Sequence, residues 1–454
     1  MHRARPRKAS LGAIVSPASR DTAELRRTGM STHPHETAGE HIAIIGAGVI
    51  GCALAWALAR EGRRVLLIDR AEPATAGASF GNAGHIACEQ LEPLPCPAVL
   101  CTFWRELTLF GGAVDLPVHR WVALAPWLAQ FVYAAFRQKR NTPALAALVA
   151  PAAAALEAAL REIARPELLV RHGHYALWRG PQAAERAARA ARAARALGVR
   201  TEQASPELLH AARARGGQGD AAGLHYPDSG HVIDPRQLAV ALAGAALRAG
   251  ATFRQAEVQE LTPLGARIGV RAEGQIVPAA AAVVCAGVES KRLLAPFGVP
   301  APLTAERGYH LEMPGTPPLI DAPVLHADHN IIVTPMQGRL RATSYLEFER
   351  HGAPPDRRKI ARLRARLHTF GYAGATAHAG WVGSRPTLPD YLPGLGRAPG
   401  EAPLFYAVGH QHLGLTLAVP SAHVMAALVA GRPPPLDVRP FDLMRFGTAR
   451  TARR

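Results

Sequence analysis

The run Gly46-Ala47-Gly48-Val49-Ile50-Gly51 has the residue types and spacing to seat a pyrophosphate. Glycine at 46 permits a sharp turn, glycine at 48 lets the backbone come close to phosphate, and glycine at 51 lets a helix pack tightly on a strand. Val49 and Ile50 then fall in the first turn of that helix, where unpaired N–H groups and the positive dipole end face an anion. The flanking residues fit: Ile42 to Ile45 is a short apolar run and Cys52 to Ala59 an apolar helical one. A second apolar run, Val65 to Ile68, closes on Asp69 and Arg70. An acid at this place can accept both hydroxyls of a ribose, and its presence argues against a 2′-phosphorylated nucleotide.

The loop that follows decides which dinucleotide is expected. Residues 77–86 are small residues and amide donors, among them Ser79, Asn82, Ala83 and Gly84, which can lie along an extended cofactor. A nicotinamide enzyme would continue with closely spaced strand–helix units, whereas here a long helical stretch intervenes, so FAD is expected. Dinucleotide-type sequence resumes late. Asp234 and Pro235 open a helix, a strand passes through Phe253 and Val258, and the apolar run Ala281 to Val284 ends in the small residues Ala286 and Gly287. A strand end beside a cofactor has room only for such residues. Finally Leu404 to Val408 leads through Gly409-His410-Gln411-His412-Leu413-Gly414-Leu415-Thr416 into a closing helix, whose N–H groups could stabilise negative charge on a reduced ring.

These residues need a scaffold of more than one domain: 454 residues exceed an ordinary single core, and 48% hydrophobic with 19% charged residues is a soluble globular composition. The formal charge of +17 is almost all arginine, lysine standing only at Lys8, Lys139, Lys291 and Lys359. With the abundant alanine this reads as a codon bias, and no specific nucleic acid is expected. Arg186, Arg189, Arg192 and Arg195 fan around a helix and read as a solvated face. Five cysteines without CxxC or Cys/His spacing indicate neither metal nor disulfide framework and fit a reducing cytoplasm. Residues 1–40 read as a disordered leader, with Met30 as a second candidate start. Residues 117–136 are aromatic, uncharged from Trp121 to Phe136 and interrupted by Pro126, too short to span a bilayer. They are expected to be a buried helix, with peripheral contact at the inner face of the membrane as the alternative, since Arg137, Lys139 and Arg140 follow.

In order and spacing these blocks resemble the FAD-dependent D-amino acid oxidase and dehydrogenase superfamily, from about residue 41 to about residue 435. The Ser79 to Gly84 loop, Arg385-Pro386-x-x-x-Asp390 and Gly409-His410 carry the resemblance. The runs Glu306 to His310 and Gly409 to Thr416 look most like dehydrogenases of cyclic D-imino acids, D-hydroxyproline in particular. The resemblance implies an α/β fold: a discontinuous Rossmann-like FAD domain of residues 41–90, 226–300 and 380–435. An α+β substrate domain with an antiparallel sheet, residues 91–225 and 301–379, would be inserted into it, and a tail of 436–454 would follow. It implies hydride transfer from the α-carbon to flavin N5, with Arg385 holding the carboxylate, Tyr309 or His310 near the amine, and a quinone or other electron acceptor. Where some relatives place a carboxylate-binding arginine this chain has Thr334 and Pro335, so Arg339 and Arg341 stay open as clamps. A glycine- or sarcosine-type oxidase reducing oxygen is the first alternative, and a nucleic-acid-associated flavoprotein a remote one.

Overall fold

The structure, a computed structural model, describes residues 40–108, 112–216, 220–372 and 380–447. The expected leader, Glu40 apart, and residues 448–454 of the tail lie outside them. A six-stranded sheet carries the glycine turn. Its order is Thr252–Gln255, Val65–Asp69, Ile42–Ile45, Ala281–Val284, Leu404–Val408 and Gly394–Arg397, parallel except for the last strand. Ile42–Ile45 is buried at every position, as a central parallel strand covered on both faces must be. One face packs on the helices Val49–Ala59, Pro235–Arg248 and Ala418–Val429, the other on the antiparallel meander spanning Val258 to Ala279. Asp234 caps its helix as its sequence position predicts, accepting from the N–H groups of Arg236 and Gln237.

The second large sheet has nine strands and is mostly antiparallel. Its strand Thr304–Pro314 lies between Trp381–Thr387 and Arg339–Glu347, in antiparallel register with both. The fold is thus the α/β class with an antiparallel sheet that the residues imply. The helices Gln138–Val149 and Ala152–Glu162 form one apolar stretch long enough to cross a membrane. Leu145, Leu148, Val149, Leu156 and Leu160 are nevertheless buried with Leu54 and Met425 in the main core. Residues 436–447 are packed on the domain: Phe441 and Leu443 are fully buried, and Arg445 pairs with both oxygens of Asp390.

The aromatic segment is a helix, Trp121–Ala135, buried on one side only. Leu124, Trp127 and Phe131 pack with Phe348 and Tyr391. The opposite side leaves Val122 90% and Phe136 73% exposed beside exposed Trp121 and Tyr133. The expectation of a buried helix therefore holds for half its circumference. On the arginine helix Ala183–Ala196, Arg186 turns inward to pair with Asp328 and to donate to the Arg179 carbonyl.

Candidate active site

A cleft runs over the carboxyl ends of the parallel strands. Asp69, Arg70 and Val258 line one end; Gly46, Gly48, Val49, Ile50, Ser79 and Asn82 line its middle; Ala286, Gly287, Gly409, Gly414 and Leu415 border the remainder. The glycines are there for space. A Cβ on Gly46 would stand 2.5 Å from the Cys285 carbonyl oxygen, in a backbone of φ +110°. One on Gly51 would stand 1.8 Å from the Gly46 oxygen, so Gly51 fixes helix against strand and does not line the cleft. Gly48 caps the Val49–Ala59 helix without a side-chain bond, and no acid occupies the first turn. The Val49 N–H donates to Ser79 Oγ at 3.0 Å, which ties the 77–84 loop to the helix end. A helix end facing a cleft, with a glycine N-cap and no acid in its first turn, offers N–H donors to a pyrophosphate, so these residues fit FAD.

Asp69 does more than the motif implies. Its Oδ2 accepts the Ala47 N–H at 2.6 Å and its Oδ1 the Ala71 N–H at 3.1 Å. It braces the glycine turn and keeps only the remaining lone pairs for ribose. Besides Gly51, four residues expected at the cofactor do not line the cleft. Ala83 and Gly84 lie behind it, a Cβ on Gly84 meeting Met336 and the Val232 oxygen at 3.0 Å. Thr416 accepts the Ala87 N–H, and His412 is bonded to Gln90 at 2.6 Å. Residues that sequence reasoning did not single out also border it, among them Glu257, Glu289, Arg292 and Ser384. Arg292 donates to the Val258 carbonyl, a contact between distant segments that no local motif announces.

Over the far end stands the antiparallel sheet. Registers Glu306↔Arg385, Gly308↔Gly383 and His310↔Trp381 put these side chains on one face. That face meets the 77–84 loop: His310 Nδ1 lies 3.1 Å from the Gly81 carbonyl, and its ring stacks on Trp381 at 4.8 Å. The Trp381 ring lies where a Cβ on Gly81 or Gly383 would fall, 2.0 and 1.9 Å away. Arg385 lies across Gly308, whose Cβ would meet Nη2 at 2.2 Å. Its Nη1 donates to Glu306 Oε1 at 3.1 Å and to the Tyr345 carbonyl at 3.2 Å. Fully buried Glu306 also accepts from Thr387 and Tyr391. Burial, and then the Arg341 charge, lower His310 to about 4; burial lowers His412 to about 4 and His410 to about 3. All three imidazoles are neutral at neutral pH.

Tyr309 is not brought to this face. A strand alternates its side chains, so the neighbour of His310 points the other way. Tyr309 is buried with Leu311 and Met313, and its hydroxyl donates to Glu347 and accepts from the Asp356 N–H. Arg341 donates to Glu312 and to the carbonyls of Phe80 and Asn82. Arg339 is held by Asp234 and Glu312. Both are occupied in bracing the loop and the sheet.

A parallel sheet, a glycine turn leading into a helix end at a cleft, and a second sheet at its far end are the parts of an FAD-binding oxidoreductase. Residues 41–428 match the family described as DAO, FAD dependent oxidoreductase, and the chain belongs to that family. It is 31% identical over 430 residues to a D-amino-acid oxidase of Bradyrhizobium diazoefficiens, covering 90% of this chain and 99% of that one. It is 30% identical over 427 residues to D-amino acid dehydrogenase 2 of Ralstonia nicotianae, covering 89% and 100%. Among solved structures, glycine oxidase from Geobacillus kaustophilus superposes with a TM-score of 0.72 at 23% identity, covering 90% of this chain and 99% of that one. L-proline dehydrogenase from P. horikoshii superposes at 0.64 and 17%, covering 90% and 98%. The cofactor of this family is FAD, and the chain is an FAD-dependent oxidoreductase.

Proposed function

We propose that the protein dehydrogenates a small D-amino or D-imino acid of the D-hydroxyproline or D-proline type. The state of the three arginines carries the carboxylate part of this reading. Arg339 and Arg341 have their guanidinium groups committed to carboxylates and carbonyls. Arg385 is held at Nη1 alone, among the described residues, and keeps its Nη2 edge for a ligand. A guanidinium fixed on one side by a buried carboxylate presents a pre-oriented fork to a second one. Bound FAD would accept, at N5, the hydride leaving the substrate α-carbon.

The stacked Trp381 and His310 rings lie on the same sheet face as Arg385. His310 and His412, held neutral by burial, are too weakly basic to take an ammonium proton. They act as hydrogen-bond partners, and the substrate enters as the amine, its proton left to water. The names of the two relatives above support the D-configuration and an amine donor.

As acceptor we propose a membrane quinone. The outward side of the Trp121–Ala135 helix, with Trp104 and Val118, forms an exposed apolar surface. Arg105 and Arg137 lie over Trp104 and Tyr133 at 4.9 and 4.7 Å, the basic rim of a surface that lies on an anionic leaflet. The protein would then work at the cytoplasmic side of a membrane. The test is an anaerobic screen of FAD-loaded protein against D- and L-amino and imino acids, followed by bleaching of the flavin. D-hydroxyproline or D-proline should bleach it fastest, and reoxidation should be faster with a quinone analogue than with oxygen. Bleaching by acyclic or L-configured acids alone overturns the substrate, and rapid stoichiometric peroxide overturns the acceptor.

A further inference from the structure

Immediately after the cofactor loop the chain places His85 and Glu89, and the strand His174–Arg179 of the other sheet brings His174 against them. One ligand atom from each of these three residues lies within 4.8 Å of the other two. His85 Nε2 stands 3.5 Å and His174 Nδ1 3.6 Å from Glu89 Oε1. Bonds of about 2.0–2.1 Å around a tetrahedral zinc separate ligand atoms by about 3.3 Å, close to what is observed. The same separations are too long for good hydrogen bonds.

The imidazoles lack any other use for these atoms. His85 Nε2 and both nitrogens of His174 are buried and without a hydrogen-bond partner among the described residues. The side chains of His85, His174 and Glu89 are 8%, 4% and 10% exposed. Orphaned nitrogens this deep are costly unless something binds them. Burial holds both rings in the neutral form, His174 down to about 3, so their lone pairs are free. Burial opposes charge on Glu89, and the Ser229 hydroxyl favours it. Ser229 donates to Oε2 at 2.5 Å, which orients the carboxylate and leaves Oε1 turned to the histidines. Tyr226 stacks on His174 at 5.1 Å and fixes its ring plane.

We propose that His85 Nε2, Glu89 Oε1 and His174 Nδ1 bind a divalent cation of the zinc class, which joins the segment after the cofactor loop to the substrate sheet. Two neutral imidazoles and one carboxylate suit zinc or cobalt better than calcium or magnesium, which prefer all-oxygen sets. The fourth coordination position is left for water. The proposal does not depend on the substrate reading. The staple would also hold Gln90, which carries the His412 bond, at the edge of the flavin end.

The test uses the untagged, FAD-loaded full chain. It is stripped with a chelator, supplied with zinc chloride, desalted and analysed for metal. Wild type should retain about one zinc per chain and melt higher with it, and Glu89→Gln and His174→Gln should retain less than a tenth of that while keeping flavin absorbance. Cobalt should give a visible band to the red of the flavin, which zinc abolishes. Wild type without retained zinc, or variants that retain as much as wild type, would overturn the site. Should the variants not fold, the cobalt titration of wild type decides, and absence of the band is the overturning result.

Discussion

Lysine in place of Arg385 separates charge from geometry at the carboxylate position. The alanine variant is the poorer probe: it strands Glu306, which is fully buried and receives Arg385 Nη1 at 3.1 Å, at a cost of about 3–5 kcal/mol in folding. A lysine ammonium can still reach Glu306 and keep the site assembled. It loses the fork, and with it one charge-assisted hydrogen bond to the substrate, worth about 1.5–3 kcal/mol. At about 1.4 kcal/mol per factor of ten, Arg385→Lys should lower kcat/KM for the acid by roughly 10- to 150-fold with FAD retained. The assay is anaerobic flavin bleaching by D-proline or D-hydroxyproline and by the corresponding carboxamide. The amide cannot use the charge, so wild type should prefer the acid strongly and the lysine variant much less. If the acid-to-amide ratio is the same in both proteins, Arg385 does not hold the carboxylate and the reasoning fails.

Gly48→Val should yield colourless protein, since a Cβ there already stands 3.2 Å from Ser79 Oγ and the branches would enter the phosphate position; stoichiometric yellow protein would contradict it. Replacing Trp121, Val122 and Phe136 together by serine should release the protein from anionic vesicles in a flotation assay while leaving the dye-linked rate intact, and undiminished flotation argues against the membrane face. Burial lowers His326 from 6.5 to about 3, so the unfolded chain takes up its proton first and stability falls as pH drops from about 6.5 toward the folded value. His326→Phe, next to the stacked Phe370 ring, should shallow that acid slope by about 1.4 kcal/mol per pH unit in urea titrations, and an unchanged slope would refute the assignment.

The glycine turn, Asp69, the Ser79 loop and the Gly409 to Leu415 opening were legible because each is a short segment whose chemistry is local. The strands and helices around them followed from apolar runs and caps such as Asp234. The substrate side was less legible, because its contacts join distant segments. Arg341 and Arg339 could be told from Arg385 only once Glu312, Asp234 and the Phe80 and Asn82 carbonyls were in place around them. Tyr309 is a different case: adjacent residues of one strand face opposite ways, so naming both Tyr309 and His310 for one substrate conflicted with alternation that the sequence itself displays. His85, Glu89 and His174 escaped notice since the third member comes from another sheet and no spacing rule links it to the first two.

The order of strands in the parallel sheet has a consequence for how the protein is made. Ile42–Ile45 pairs with Ala281–Val284, which in turn pairs with Leu404–Val408. The phosphate turn therefore leaves the ribosome long before Gly409 to Leu415, which close the other end of the same cleft. At about 5–20 residues per second this interval is roughly 20–70 s. For that time the nascent chain carries an apolar parallel edge with no neighbour, the kind of surface that aggregates and that chaperones hold. The complete cofactor cleft exists only once residues 409–415 have been synthesised, so a nascent chain that stops short of them cannot enclose FAD along the whole cleft.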